Sequence, residues 1–427
     1  MNLRSHPYES YRVSNGEWID QTPSEWEEKR VKDLFKLVTD KAPVDNDQEL
    51  LSLYASIGVR PRKDLEARGN KASSTDGYWI VKKGDIVVNK LLAWMGSVGL
   101  SEYDGVTSPA YDVLRKTSMR VDERYFSYLF RTEIAKQIFK RNSRGIMDMR
   151  LRLYFDKLGA ITVPVPPFST QQAIATYIDT KTAQIDRHIE LLNEKLKKYS
   201  ELKQSLIVQT VTRGLDKSVG MKDSGVEWIG KTPTHWNVRR LKEVVDVHMG
   251  QSPSSSDYTE EGLGFPFLQG NADFGNYSPT PRVWCSEVKK VCLKNDVLLS
   301  VRAPVGAVNV ASASYGIGRG LCAIRSKSNY QYWYYFLSSM SSYLNSIATG
   351  STYVAVSIED VRNSMACVPP AHEQAKITSY LNERTERIDR IVTAINYQLK
   401  KLKDLRKALI NDVVTGKIKV VGIGNDE

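Results

Sequence analysis

The feature that most constrains the fold of this chain is an internal duplication. The sequence Glu-Trp-Ile-Asp-Gln-Thr-Pro-Ser-Glu-Trp at residues 17–26 returns as Glu-Trp-Ile-Gly-Lys-Thr-Pro-Thr-His-Trp at residues 227–236, an offset of 210. A second block begins at Pro166-Pro167 and returns at Pro369-Pro370, an offset of 203. So long a period indicates two copies of a whole domain with its connecting helix, and not a solenoid of short repeats.

The composition is that of a folded protein with an acidic partner. At 427 residues the chain is too long for a single core, and its 41% hydrophobic and 26% charged residues are not those of a disordered protein. The formal net charge of +11 favours nucleic acid as the partner. No apolar run approaches the ~20 residues of a membrane helix, the first residues do not resemble a signal peptide, and the four cysteines form no Cys-x-x-Cys pair. We therefore expect a cytoplasmic protein with reduced thiols and no membrane contact.

A long amphipathic helix is predicted after each Pro-Pro pair. Residues 171–212 contain no proline or glycine, and Ser169 with Gln172 suggests a capping box at the start of the helix. A helix of this length would be roughly 63 Å long, which is more than one small domain can cover. We therefore predict that the two helices pair, although two separate surface helices are the alternative. An antiparallel pair is favoured because the intervening domain gives the chain length to turn back.

The predicted seam of this pair consists of apolar side chains that recur at spacings of three and four in both copies. Its members are Ile185, Ile189, Leu192, Leu196, Tyr199, Leu202 and Leu206, and, 203 residues later, Ile388, Val392, Ile395, Leu399, Leu402, Leu405 and Leu409.

The segments outside the helices are predicted to be mixed α/β (α+β), with strands at 84–89 and 295–300 and helices at 125–131 and 332–338 that match between the copies. The chain is thus predicted to hold two similar globular domains with an internal pseudo-two-fold repeat, separated by the helix pair. The expected boundaries are an N-terminal arm at 1–23, a first domain at 24–165, a central helix at 166–217, a linker at 218–233, a second domain at 234–368, a C-terminal helix at 369–419 and a tail at 420–427.

The stretches between the matching elements differ in chemistry. Residues 54–72 of the first copy are basic, whereas residues 250–277 of the second are polar and glycine-rich. Arginine and lysine suit guanine edges and phosphates, while asparagine and glutamine suit adenine edges. The candidate DNA contacts are Arg60, Arg62, Lys63, Arg68 and Lys71 in the first copy and Gln251, Ser252, Ser254, Tyr258, Gln269, Asn271 and Asn276 in the second.

No catalytic, cofactor or metal site is predicted. Pro166-Pro167-Phe168 resembles the end of an amino-methyltransferase motif, but Val165 stands where that motif needs a polar residue. The glycines of 316–320 lack the Lys-Ser/Thr of a phosphate loop and are interpreted as a turn. The five histidines show no metal-ligand spacing.

Together, these motifs resemble the specificity subunit of a type I restriction–modification system over essentially the whole chain. The resemblance is carried by Glu227-Trp228-Ile229-Gly230 with Thr232-Pro233 and Trp236, by their counterpart at 17–26, by Pro369-Pro370 through Glu373-Gln374, and by Val414-Thr415-Gly416-Lys417. The first copy departs from the pattern in two places, with Thr170 at the position of Glu373 and Arg213 at the position of Gly416.

The resemblance implies a non-catalytic DNA reader with two target recognition domains, which binds a bipartite double-stranded target. It also implies docking of two modification (methyltransferase) subunits and, in the full complex, of restriction subunits. S-adenosylmethionine is then expected on the methyltransferase subunits, and ATP and Mg on the restriction subunits, with no cofactor in this chain. Two alternatives remain, namely a duplicated α/β nuclease or methyltransferase that acts alone and a structural scaffold that binds no DNA.

The helix pair is expected to act as a ruler for the unread gap between the two half-sites. Domains that read one face of B-DNA lie about one turn, roughly 10 bp, apart, so the gap should be roughly 5–8 bp. Inserting four residues near Leu196 and four near Leu399 lengthens the helices by roughly 6 Å, or one to two steps of ~3.4 Å. Selection on DNA with randomised spacers should then return the same half-sites with a gap longer by one or two. An unchanged gap in a correctly assembled variant would contradict the ruler.

Overall fold

The computed structural model describes residues 7–14, 16, 18–54, 57–64, 74–146, 150–350 and 354–420. The chain forms two compact units: unit 1 comprises Met1–Leu192 and Tyr397–Glu427, and unit 2 comprises Asn193–Asn396. The first long helix therefore passes from unit 1 into unit 2 after Leu192, and the second passes back after Asn396.

The first half of the chain contains twelve strands and five helices among its described residues. The strands are β1 (Tyr11–Val13), β2 (Gln21–Pro23), β3 (Glu27–Arg30), β4 (Phe35–Leu37), β5 (Leu51–Tyr54), β6 (Gly58–Pro61), β7 (Trp79–Val81), β8 (Ile86–Asn89), β9 (Val98–Leu100), β10 (Gly105–Thr107), β11 (Tyr111–Lys116) and β12 (Thr162–Val165). The helices are α1 (Val31–Leu34), α2 (Glu123–Leu129), α3 (Glu133–Asn142), α4 (Phe155–Leu158) and α5 (Phe168–Arg213).

The second half repeats this order with thirteen strands and five helices in the part that the structure describes. The strands are β13 (Met221–Asp223), β14 (Lys231–Pro233), β15 (Asn237–Arg240), β16 (Asp246–Met249), β17 (Tyr258–Thr259), β18 (Phe265–Leu268), β19 (Val283–Cys285), β20 (Val291–Cys292), β21 (Val297–Ser300), β22 (Val308–Val310), β23 (Tyr315–Ile317), β24 (Leu321–Arg325) and β25 (Met365–Val368). The helices are α6 (Leu241–Val244), α7 (Tyr330–Ser339), α8 (Ser341–Ile347), α9 (Ile358–Asn363) and α10 (Ala371–Val414).

The centre of each unit is a four-stranded antiparallel sheet with the same topology. Its strand order is β4-β11-β8-β9 in unit 1 and β16-β24-β21-β22 in unit 2. Successive side chains of a strand point to opposite faces, so each sheet has two apolar faces. In β21, Val297 and Leu299 join the core that faces the helices, whereas Leu298 joins a smaller core on the other side. The predicted strands and the mixed α/β class are thus confirmed.

The two faces of the sheet are covered differently. The helix side carries α2 in unit 1 and α7 in unit 2, the aromatic helices that the sequence predicted. The other side carries an outer β layer that is not alike in the two units. It is formed by the β5–β6 hairpin and the β7–β10 pair in unit 1, and by a five-stranded sheet of order β17-β19-β18-β23-β20 in unit 2.

A buried ion pair recurs at the same place in both sheets. Asp85, 2% exposed, accepts hydrogen bonds from Arg115 Nε and Nη2 at 2.8 and 2.7 Å. Asp296 accepts the same two bonds from Arg325 at 3.0 and 2.7 Å. Breaking such a pair by removing one partner costs about 3–5 kcal/mol, because the other charge stays buried. The pair therefore fixes the two central strands of each sheet against each other, β8 against β11 in unit 1 and β21 against β24 in unit 2.

The core of each unit includes the end of a long helix that begins in the other unit. In unit 1 the buried Tyr125 hydroxyl lies 2.9 Å from the carbonyl oxygen of Val414, at the end of α10, and 3.2 Å from that of Pro164 in β12. In unit 2 the Tyr332 hydroxyl lies 2.9 Å from the carbonyl oxygen of Cys367 and 3.4 Å from that of Val211, near the end of α5. Burial raises the pKa of both tyrosines well above 10, so each remains a hydrogen-bond donor.

The long helices pair in antiparallel orientation, as predicted. In unit 1 Arg406 of α10 donates to Asp186 of α5 at 3.0 and 3.2 Å. In unit 2 Lys203 of α5 donates to Asp389 of α10 at 2.6 and 2.8 Å. The later residue of α5, Lys203, thus pairs with the earlier residue of α10, Asp389, and this order makes the helices antiparallel. The two ion pairs are also equivalent by the 203-residue offset.

The seam differs from the prediction at one position in each helix. Leu202 is 53% exposed and Leu405 is 39% exposed, and neither lies in a core cluster. A coiled-coil seam repeats every seven residues. Seven residues after Leu196 stands Lys203, and seven residues after Leu399 stands Arg406, so the repeat places these two cations in the seam. The prediction chose Leu202 and Leu405 because they are apolar, but the seam positions are those of Lys203 and Arg406, the cations of the interhelical ion pairs.

The start of each long helix explains the Pro-Pro-x-x-x-Gln block. α5 begins at Phe168, so Ser169 lies inside the helix and the predicted capping box is wrong. The Gln171 side chain instead donates 2.8 Å back to the carbonyl oxygen of Pro166, and Gln374 donates 3.0 Å to that of Pro369. Each glutamine thereby holds the preceding strand against the first turn of the helix.

The first copy departs from the repeat at Arg213 and Thr170, and these two differences have different structural consequences. Arg213 is followed by Gly214, which has φ +73°, and a Cβ on Gly214 would lie 3.1 Å from the Trp236 ring. Gly416 has φ +75°, and a Cβ there would lie 3.1 Å from the Trp26 ring. The helix-terminating glycine is therefore present, one residue later. Thr170 is a real difference. Glu373 accepts from Trp236 Nε1 at 2.9 Å, whereas the buried Trp26 Nε1 has no acceptor among the described residues.

Glu373→Ala should destabilise the protein by about 1–3 kcal/mol, because it leaves the buried Trp236 Nε1 unsatisfied. The equivalent Thr170→Ala, which removes no acceptor from Trp26, is the matched control and should cost less than about 0.5 kcal/mol. Urea unfolding of the full chain measures both, and equal effects would contradict this account.

The Glu373 effect should also depend on pH. Burial raises the pKa of Glu373, but hydrogen bonds from Trp236 and His235 outweigh it and bring the pKa below its ordinary value of 4.5. A lowered carboxyl pKa stabilises the fold above the unfolded value, and this contribution is lost as the pH falls through the folded pKa. The difference in stability between the wild type and Glu373→Ala should therefore shrink as the pH falls below about 4.5.

Candidate nucleic-acid interface

The basic residues predicted in the first copy lie on the outer β layer of unit 1. Arg60 is in β6, where its Nη1 donates to the Tyr103 hydroxyl at 2.8 Å and its guanidinium lies 5.8 Å from the ring centre. Arg62 and Lys63 follow in a short 3-10 helix, Arg62–Asp64. Lys63 is exposed and pairs with Glu49, and this hydrogen bond raises the pKa of Lys63. Arg68 and Lys71 lie outside the described residues.

The polar residues predicted in the second copy fall into separate places in unit 2. Gln251 and Ser252 follow β16 directly, while Gln269 and Asn271 follow β18. These two segments meet the turn between β23 and β24. Gln251 N donates to the carbonyl oxygen of Ile317 at 2.8 Å, and Gly318 N donates to that of Leu268 at 2.8 Å.

Three other predicted residues do not join this group. Ser254 N is held by Asp257 at 3.0 Å in a 3-10 turn, and Tyr258 packs edge-on against Phe267 at the edge strand β17. Asn276 lies in a turn that is attached to β22 through a 2.9 Å hydrogen bond from Asn309 to Gly275. Each remains a candidate contact in its own loop.

Close backbone packing explains the glycines that surround Gln251 and Gln269. A Cβ on Gly250 would lie 2.2 Å from the carbonyl oxygen of Gly318, and one on Gly320 would lie 2.9 Å from that of Gln269. Any side chain at these positions would force the three segments apart. The glycines of 316–320 thus serve to bring backbones together. Residues 318–320 form the predicted turn between strands, whereas Gly316 and Ile317 belong to β23.

The residue patterns of the sequence did not identify the cationic side chains of this region, Lys290, Arg302 and Arg319. A groove beside the three segments is lined by Gln251, Lys290, Arg302 and Arg319, together with Met249, Val301, Ala355 and Val356, and its lining includes no carboxylate. In the part of the chain that the structure describes, these three cations form no ion pair, whereas Arg282, Arg325 and Arg362 of the same unit pair with carboxylates. The groove therefore combines unpaired positive charge with exposed amide groups, which suits a phosphate backbone and base edges.

Unit 1 carries different chemistry at the equivalent place. Arg115 and Arg325 align strand β11 with β24 at an offset of 210, which makes Pro109, in the turn before β11, the counterpart of Arg319. The carbonyl oxygen of Pro109 accepts from Lys90 at 2.6 Å, and Lys90 also lies 3.5 Å from Asp112. An alignment of the two copies at this turn could therefore have identified Arg319 from the sequence, because the first copy has a proline where the second has an arginine.

The described residues give little indication of a metal site, a reactive cysteine or a membrane-spanning helix. Among the described residues, no group of histidine, cysteine and carboxylate side chains could hold a metal ion. The four cysteines are buried, and burial raises the pKa of Cys292 and Cys322 to about 12, which makes these thiols poor nucleophiles. No described helix is both long and apolar enough to cross a membrane.

Comparisons with known proteins agree with the duplicated architecture. A family model described as type I restriction modification DNA specificity domain matches residues 23–198 and again residues 233–401. The provisionally assigned MjaX type I restriction enzyme specificity subunit of Methanocaldococcus jannaschii is 26% identical, over 94% of this chain and 96% of that protein.

Two solved structures share the fold over nearly the whole chain. One comes from a study of complex assembly and conformational transition of the type I R-M system; it has a TM-score of 0.76 at 24% identity and covers 93% of this chain and 99% of that chain. The other is the HsdS subunit from Thermoanaerobacter tengcongensis, with a TM-score of 0.55 at 25% identity, covering 93% and 98%.

Proposed function

This chain belongs to the family of type I restriction–modification DNA specificity domains, and we propose that it recognises the bipartite DNA target of such a system without catalysing a reaction itself. Each unit reads one half-site through its outer β layer. The observation that carries this proposal is the contrast between two equal sheets and two unequal outer layers. A reader of two different half-sequences needs a common scaffold and two distinct contact surfaces.

The cation groove of unit 2 supports DNA as the ligand. Lys290, Arg302 and Arg319 are exposed and lack carboxylate partners in the described chain, so their charge is available to phosphates. In unit 1 the Arg60–Tyr103 contact holds a guanidinium on the corresponding layer. The formal charge of +11 on the whole chain acts in the same direction.

The partners proposed for this chain are two modification (methyltransferase) subunits and, in the full complex, restriction subunits. The repeated helix-pair segments support the number two, because the Asp186–Arg406 pair of unit 1 and the Asp389–Lys203 pair of unit 2 mark equivalent surfaces. Under this proposal S-adenosylmethionine binds the methyltransferase subunits, ATP and Mg bind the restriction subunits, and the complex works on DNA in the cytoplasm.

The test of this function is DNA binding by the purified chain, alone and with its methyltransferase subunits, over a range of salt concentrations. Neutralising several phosphates should give a log-log salt slope of several negative units, and selectivity should appear mainly in the complex. Binding without salt dependence, with or without the subunits, would count against DNA as the ligand.

Exchange of one domain tests whether the half-sites are read separately. A hybrid that carries residues 24–165 of a relative should recognise a new first half-site and keep the second, because contacts more than ~10 Å apart with no shared partners are nearly additive. Mapping methylated adenines in DNA from cells that express the hybrid complex reads both halves at once. A folded and assembled hybrid that altered both halves together would refute modular reading.

A further inference from the structure

We propose that Arg319 determines specificity in unit 2 by reading a guanine with the two terminal nitrogens of its guanidinium, while Lys290 and Arg302 hold the neighbouring phosphates. This inference rests on the proposed function and adds to it one residue, one base type and one half-site.

The orientation of the Arg319 guanidinium is the first observation. Arg319 Nε and the Arg319 backbone N both lie 3.4 Å from the Ser252 hydroxyl oxygen and donate to it. Ser252 thus occupies one side of the guanidinium. Within the described chain, Nη1 and Nη2 have no acceptor and no carboxylate partner. A guanidinium held in this way presents two parallel donors, which is the pattern that the O6 and N7 acceptors of guanine require.

The backbone that carries Arg319 is the second observation. Gly318 and Gly320 flank it, and a Cβ on either would come within about 3 Å of the Gln269 carbonyl oxygen, at 3.1 and 2.9 Å. Gly318 N and Leu321 N are both hydrogen-bonded, to the carbonyl oxygens of Leu268 and Gly318. The turn is therefore fixed against two neighbouring segments, and little conformational freedom remains to be lost when Arg319 binds a base.

The surroundings separate base reading from phosphate binding. Gln251 and Gln269, whose amides suit base edges, are exposed on the same packed segments as Arg319. Lys290 and Arg302 line the same groove, and among the described residues neither side chain has a hydrogen-bond partner that would orient it. Lysine is a flexible point charge and suits phosphate, whereas an oriented arginine suits a planar, two-acceptor partner.

Unit 1 offers no equivalent donor, because its counterpart residue is Pro109. Loss of Arg319 should therefore affect only the half-site of unit 2, and only one position in it.

The experiment uses the full chain assembled with its methyltransferase subunits. The probe is a library of duplexes with both half-sites randomised, from which the bound fraction is sequenced; affinities are then measured on the selected duplex. Arg319→Ala should lower affinity roughly 5- to 150-fold and abolish the guanine preference at one position. Arg319→Lys keeps the charge but not the paired donors, so it should lose the same preference.

Three further variants serve as controls. Lys290→Ala and Arg302→Ala should keep every base preference and reduce the salt slope by about one unit each. Lys327→Ala removes an exposed charge of the same unit that does not line the groove, and it should leave both the preference and the slope nearly unchanged.

The possible failures are distinguishable. If the wild-type complex selects no sequence, the proposed function itself is wrong. If the wild type is selective and both Arg319 variants keep its preferences, Arg319 does not read a base and the inference is overturned. If Arg319→Ala binds all sequences equally more weakly and Arg319→Lys keeps the wild-type base preferences, Arg319 contacts a phosphate, and this result also overturns the inference. Should thermal melting show that Arg319→Ala is unfolded, Arg319→Lys decides the question alone.

Discussion

Two buried tyrosine hydroxyls join parts of each unit that lie far apart in sequence. Tyr125 reaches Val414, 289 residues away, and Tyr332 reaches Val211, 121 residues away. In both cases the same hydroxyl also binds the strand that leads into the other long helix. Each unit therefore contains the start of one helix and the end of the other, and the core of unit 1 is complete only when the last helix of the chain is in place.

This arrangement explains why the duplicated blocks lie where they do. The tryptophan block, at Trp26 and Trp236, packs against the glycine that ends a helix, and the Pro-Pro block starts the next helix. Because α5 and α10 each pass from one unit to the other, each long helix contributes side chains to the core of both units. The helix side of each sheet is thereby constrained by the repeat, and its residues match between the copies.

The opposite face of each sheet is free of that constraint, and there the two copies diverge. Both sheets keep a buried aspartate–arginine pair and an apolar outer face. Over that face, unit 1 builds two strand pairs and unit 2 builds a five-stranded sheet. The cationic side chains differ between the two faces in the same way. Arg115 and Arg325 are neutralised by carboxylates within the scaffold, whereas the cations of the unit 2 groove have no carboxylate partner among the described residues and remain available to a ligand.

The sequence alone determined the duplication, the two long helices, the mixed α/β class and the family, because these depend on patterns that repeat along the chain. It favoured an antiparallel helix pair, and the ion pairs of the tertiary structure decided that orientation. The seven-residue repeat points to positions 203 and 406, but the sequence also offers an apolar leucine directly before each. The ion pairs with Asp389 and Asp186 show that Lys203 and Arg406 face the partner helix. Periodicity could not find Arg319, because the residues that make this arginine distinctive come from four places in the chain. Ser252, Gln269, Lys290 and Arg302 meet it only when β16, β18, β20 and β21 are folded together, and that proximity belongs to the tertiary structure.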